Sequence, residues 1–257
     1  MRTGLLAAGG AGMAALFLWG MAGLPPFGSY PGPYGDLLDS FAVGERKATD
    51  VVSAVNFDYR GFDTLGEEFI LFVSVAGATL LLRKIEESAD GEDSREESER
   101  EDRQAGRAPP PTSDATRAFG VALVGLTVLF GLYMISHGQT TPGGGFQGGV
   151  ILATAPLSVY LAADARTFQR IAPRSVVEWV GSMAAAAYIV LGLAAVVLGA
   201  EFLRNVTPLG EEEKMGSSGN IFWLNLGVGI EVAGGFVLLL SVFIEEALQR
   251  RLRRESR

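Results

Sequence analysis

The sequence predicts an all-α, polytopic membrane protein of about six spans, on three observations. Apolar runs of about 17 or more residues, long enough to cross a bilayer as helices, recur along its 257 residues. Charged residues make up 19% of the chain, yet mean hydropathy is +0.27, because the charges sit in blocks between the apolar runs. The breaks between runs are built from proline and glycine, which interrupt helices. With no cysteine and a single histidine, neither a disulfide frame, a thiolate metal site nor a histidine-based metal site is expected. The net charge of −8 comes mostly from one acidic stretch and says little about partners.

The first apolar run, 4–24, follows Arg2 and contains no charge. A signal peptide ending near Ala22-Gly23 fits the positive start, whereas the length of the run favours a retained first span. Residues 25–50 form a loop rich in turn formers, among them Pro25, Pro26, Gly28, Pro31, Gly32 and Pro33.

The run 69–82 has only about 14 apolar residues, short for a span. Extending it back to Phe62 gives full length but includes Asp63, Glu67 and Glu68. The expectation is a second span with those acids near the interface and Arg83 and Lys84 snorkelling at the other end. An interfacial helix is the alternative. Residues 86–116 hold eleven acids among four arginines, with Pro109-Pro110-Pro111 near their end. A segment this polar buries too little surface to offset its ordering entropy, so a disordered acidic linker is expected.

Four further spans are expected, at about 117–136, 147–163, 176–200 and 220–244. The connection between the first two is Ser136-His137-Gly138-Gln139-Thr140-Thr141-Pro142-Gly143-Gly144-Gly145-Phe146-Gln147-Gly148-Gly149. Pro142 opposes helical continuation, and the three glycines allow a sharp turn or positive φ. A tight hairpin explains the composition, but not why the single histidine gathers here with Gln139, Thr140, Thr141 and Gln147. The run of glycines superficially suggests phosphate binding, but it lacks the preceding strand and the Lys-Ser/Thr ending that such loops need.

Arginines and lysines alternate between connections. Arg2, the pair Arg83 and Lys84, the set Arg166, Arg170 and Arg174, and the tail from Arg250 to Arg257 are the basic ones. By the positive-inside rule both termini and the linker are then cytoplasmic and the glycine turn is outside.

Glu231 lies near the middle of the last run, where a carboxylate costs about 2.5–3.5 kcal/mol on insertion scales. Gly227, Gly234 and Gly235 share its side of the helix, so a neighbouring helix can come close and the carboxylate is expected to face protein, not lipid. Two roles stay open for it: a proton carrier on an ion path, or a structural glutamate at a helix contact. Asp58, Arg60 and Asp63 likewise read either as a solvated interfacial turn with local ion pairs, contributing about 0–1 kcal/mol, or as residues for docking or ion traffic. No nucleophile–base arrangement is visible, so no catalytic residue is assigned.

Two stretches carry resemblances. Thr-Pro-Gly-Gly-Gly-Phe-Gln-Gly-Gly at 141–149, with the hydropathy that follows, resembles the signature of the B subunit of Mrp-type (Mnh) multisubunit Na⁺/H⁺ antiporters. Asp-Tyr-Arg-Gly-Phe-Asp-Thr-Leu-Gly-Glu at 58–67 is similar to the C-terminal part of the Mrp A subunit and to the MbhE-like small subunit of membrane-bound hydrogenases. The resemblances imply three parts: an MbhE-like membrane module at 1–85, the linker at 86–116, and a B-subunit-like membrane domain at 117–257. They imply a non-catalytic subunit of a plasma-membrane cation/proton antiporter, with no cofactor. Its partners would be the other subunits and membrane lipid, Na⁺ and H⁺ would be the transported ions, and no nucleic acid is involved. A membrane arm of a redox-driven complex and a purely structural scaffold are the other readings. Candidate ion-path residues are Glu231, Asn225, His137, Asp63 and Glu67, while Pro142, Gly143, Gly144, Gly145, Phe146, Gly148 and Gly149 form the structural motif. Antiporter B subunits often carry Phe-Asp-Leu-Gly-Val in the last helix, where this sequence has Leu224-Asn225-Leu226-Gly227-Val228.

Overall fold

The computed structural model describes residues 2–29, 32–87 and 112–255. Among them there is no strand. The chain divides into two compact units, 1–40 and 41–257. The first holds helix α1 (Arg2–Ala22) and the start of α2 (Pro33–Arg46).

In the second unit Asp50 caps a short helix α3 (Val51–Ala54) by accepting the Val52 N–H. A single π turn follows at Val55–Tyr59, closed by the Arg60 N–H on the Val55 carbonyl at 2.7 Å. Widening the helix here leaves backbone groups in search of partners. The Thr64 hydroxyl takes one of them, donating to the Asn56 carbonyl at 2.7 Å. The remaining helices are α4 (Gly61–Glu87), α5 (Asp114–Ser136), α6 (Gly145–Ala162), the short α7 (Ala165–Ile171), α8 (Arg174–Val197) and α9 (Asn220–Glu255).

Five helices among the described residues are long and apolar enough to cross a membrane: Gly61–Leu82, Asp114–Ser136, Gly145–Ala162, Arg174–Val197 and Asn220–Ala247. The expected first span, 4–24, falls on helix α1, within which Ala7–Ala22 is a shorter apolar stretch. The second expected span is a single unbroken helix, of which Gly61–Leu82 is long and apolar enough to cross a membrane. The acidic linker lies mostly outside the described residues. Its expected edges are helical, since α4 runs on to Glu87 and α5 starts at Asp114. There Ser113 caps α5 by accepting the Thr116 N–H at 3.2 Å.

α9 is the central helix: α4, α6 and α8 pack against it, and α5 reaches it while pairing chiefly with α6. Half of its spanning stretch is buried, against 11–28% for the other spans. The reason is in its sequence. Ile221, Leu224, Asn225, Val228 and Val232 are all at most 1% exposed and recur at the spacing of one helical face. That face meets Phe57, Tyr188 and Leu203 in the main core. The outer faces of the other spans stay apolar, with Leu126, Leu129, Val190 and Phe69 all more than half exposed.

Candidate functional site

The glycine turn is held from three elements. His137 ends α5, its N–H bonding the Tyr133 carbonyl. The Thr140 and Thr141 hydroxyls donate to the His137 carbonyl at 2.9 and 3.2 Å. Thr49 donates to the Thr140 carbonyl at 2.7 Å, the Asp50 N–H to the Gln139 carbonyl at 3.1 Å, and Ser53 to the Gly138 carbonyl. Gly143 and Gly144 take φ of 147° and 122°, a region closed to most L side chains. α6 starts at Gly145 with no cap from its own Gly144. The cap comes from α9, where Asn225 accepts the Gly145 N–H at 3.0 Å. Asn225 is fully buried, and its amide also donates to the Ile221 carbonyl and the Ser53 hydroxyl, at 3.2 and 3.4 Å.

Below the turn the glycines serve close approach. A Cβ on Gly145 would lie 2.6 Å from the Asn225 carbonyl oxygen, and one on Gly149 2.7 Å from that of Gly229. On Gly148 it would press on Ile135 of α5 at 2.6 Å. α6 is therefore wedged between α5 and α9 along a seam that leaves no room for a methyl group.

One turn and a half further along α9, Glu231 faces Glu68 of α4. Both side chains line one cavity shared by α4, α8 and α9. They are 6% and 3% exposed. Both Glu68 oxygens and Oε1 of Glu231 lack a hydrogen-bond partner. Gly227 and Gly234 bring α8 close at Ala184 and Val177, while Gly235 lies against Leu71 and Val75 of α4. The glycines beside Glu231 thus serve two neighbouring helices.

The other sequence candidates lie elsewhere. Glu67 and Asp63 are exposed, and Asp63 pairs with Arg60, whose Nε donates at 2.6 Å. Glu68 differs from them in facing protein, because Thr64, Glu68 and Val75 are the buried face of α4. Sequence reasoning missed Glu68 as a candidate. The signal was available in the helical spacing of Gly61, Thr64, Glu68 and Val75, which separates Glu68 from its neighbour Glu67. Asp58 is not solvated either. The π turn aims it inward against Arg46, and burial pushes its carboxyl above the usual range while Arg46 pulls it back. Burial likewise raises Asp50, offset in part by hydrogen bonds from Ser53 and Val52. His137 is half-buried, with its ring stacked on Tyr133 at 4.3 Å. Among the described residues no group of three or more His, Asp or Glu side chains could hold a metal ion.

Residues 116–238 match the family described as a domain related to the MnhB subunit of Na⁺/H⁺ antiporter. This stretch is similar to the MnhB family over slightly less than half of the chain. It contains the glycine turn, its Asn225 cap and Glu231, whereas Glu68 lies before it. The chain is 29% identical to the B subunit of the Na⁺/H⁺ antiporter of Bacillus subtilis over 127 residues, 47% of this chain and 85% of the relative. It is 27% identical to an uncharacterised protein of Methanocaldococcus jannaschii over 194 residues, 72% of each. That alignment is too long to lie within the MnhB-like stretch alone. Two solved assemblies contain similar chains. One is the membrane-bound sulfane sulfur reductase, an archaeal respiratory membrane complex, with TM-score 0.62 and 26% identity over 95% of this chain and 99% of that one. The other is the Mrp complex of Dietzia sp., with TM-score 0.66 and 24% identity over 95% of this chain but 26% of that longer one. The Mrp likeness shows a shared fold.

Proposed function

We propose that the chain is a membrane subunit of a multisubunit Na⁺/H⁺ antiporter and has no catalytic centre of its own. The observation that carries this reading is the MnhB-like stretch, with its glycine turn capped by Asn225 on the central helix. The similarity to an antiporter B subunit of Bacillus subtilis supports it. The outer apolar faces of α4, α5 and α8 are the surfaces for other subunits and for lipid. Four spans separate the linker from the C-terminal tail, an even number, so both lie on one side. The arginine distribution makes that side cytoplasmic. Within the chain, 1–85 acts as an MbhE-like module docked on the MnhB-like stretch through α4 and α9.

The test is to tag the chain in its native membrane, purify it gently and identify its companions. The expected companions are large antiporter subunits, and deleting the gene removes Na⁺-driven proton flux in everted vesicles. Normal flux in the deletion strain would refute the reading. A second reading has a specific observation behind it: the similar chain of the sulfane sulfur reductase is matched over 99% of its length. Companions carrying iron–sulfur clusters would favour that redox-driven membrane arm.

A further inference from the structure

Two cavities meet at the Glu68–Glu231 pair. One, of about 210 Å³, is lined by Leu65, Glu68, Phe69, Ser182, Ile189 and Glu231. The other, of about 400 Å³, runs from Glu231 past Ser182 and Gly235 to Arg174, Glu178 and Thr79. Phe72, Ser182 and Glu231 line both. Each is far larger than the ~10–15 Å³ that one water needs. They extend from the pair in opposite directions along α8, one toward Ile189 and the other toward Arg174.

The charged and titratable groups around the pair are few. On α8, Arg174 is engaged with Glu178 at 2.7 Å, and Tyr188 donates its hydroxyl to the Gly61 carbonyl at 2.8 Å. On α4, Glu67 points outward. Among the described residues no cation compensates the two carboxyls, and burying two unpaired charges would cost several kcal/mol each. One proton held between them turns two mutually repelling acceptors into a short O–H···O⁻ hydrogen bond. A bound metal cation would need more oxygen ligands than these two carboxyls and Ser182 supply.

We propose that Glu68 and Glu231 form a proton-exchange site. It takes a proton from water in one cavity and releases it to water in the other. Its physiological use rests on the antiporter reading, but the site can be tested apart from it.

Dicyclohexylcarbodiimide reports a protonated carboxyl in an apolar setting. The carboxyl oxygen adds to the carbodiimide carbon while the proton goes to nitrogen, and the product rearranges to a stable acylurea. Treating the intact complex in native membranes and analysing peptides by mass spectrometry should place the adduct on Glu68 or Glu231, with less adduct as pH rises. Glu68→Gln and Glu231→Gln should each keep the complex and lower Na⁺-driven proton flux about tenfold or more, since an amide cannot titrate. Glu231→Asp, which keeps a titratable group, should retain measurable flux. Absence of adduct at every pH would overturn the proposal, even if a Gln variant failed to assemble. So would unchanged flux in both Gln variants. Adduct on the pair in a wild-type complex without Na⁺-driven flux would sink the antiporter reading and leave the site standing.

Discussion

Replacing Asn225 with leucine tests whether α9 sets the start of α6. The two side chains are close in size, so the change leaves no large cavity and removes only polar atoms. The Gly145 N–H, buried beneath its 3.0 Å bond to Asn225, would lose its acceptor. Gly144 supplies no side-chain cap to replace it. An orphaned buried donor costs about 1–3 kcal/mol. The contact with Ser53 at 3.4 Å adds little, and the Ile221 carbonyl keeps its own helical bond. For a chain of this size each kcal/mol lowers a thermal midpoint by about 2–4 °C, so Asn225→Leu should lower it by about 2–12 °C. Fluorescence-detected size exclusion of a tagged chain after graded heating measures this. Asn225→Asp is the control. Its carboxylate still accepts from Gly145 and sits at a helix N-terminus, where an anion is favoured by about 0.3–1 kcal/mol. It should therefore stay near the wild-type midpoint. A leucine variant with the wild-type midpoint and yield would refute the cap.

Gly144→Val should abolish recovery of assembled complex, because a β-branched residue resists the φ of 122° and its Cβ would lie 3.0 Å from Asn225 Oδ1; wild-type yield on gentle solubilisation would contradict this. Tyr188→Phe leaves the Gly61 carbonyl without the hydroxyl that donates at 2.8 Å and should cost about 0.5–1.5 kcal/mol, read as a lower midpoint in the same heating assay. Single cysteines test sidedness in a chain that has none. An impermeant thiol reagent applied to intact cells should label Glu213→Cys and spare Gln169→Cys, both exposed positions, and the reverse pattern would overturn the orientation.

The membrane class and the four C-terminal spans were legible in the sequence because hydropathy over about 20 residues is a local quantity. The glycine turn was legible for the same reason, since proline and consecutive glycines restrict or free φ wherever they stand. Glu231 could be singled out by its depth in an apolar run. What the sequence could not supply was its partner. Helical spacing separates the faces of the adjacent acids Glu67 and Glu68, but only the rotation of α4 against α9 decides which of them meets Glu231. The same holds for Asn225 and Asp58. Each is an isolated polar residue until folding sets it against a group elsewhere in the chain, the Gly145 N–H in one case and Arg46 in the other. Local composition determined which segments can cross the membrane, but not the helix α2 (Pro33–Arg46), which lies in a stretch expected to be a loop. The contacts that turn isolated polar residues into a cap, an ion pair and a carboxyl pair depend on helix rotation and on the close approach that small residues permit, and those exist only in the tertiary structure.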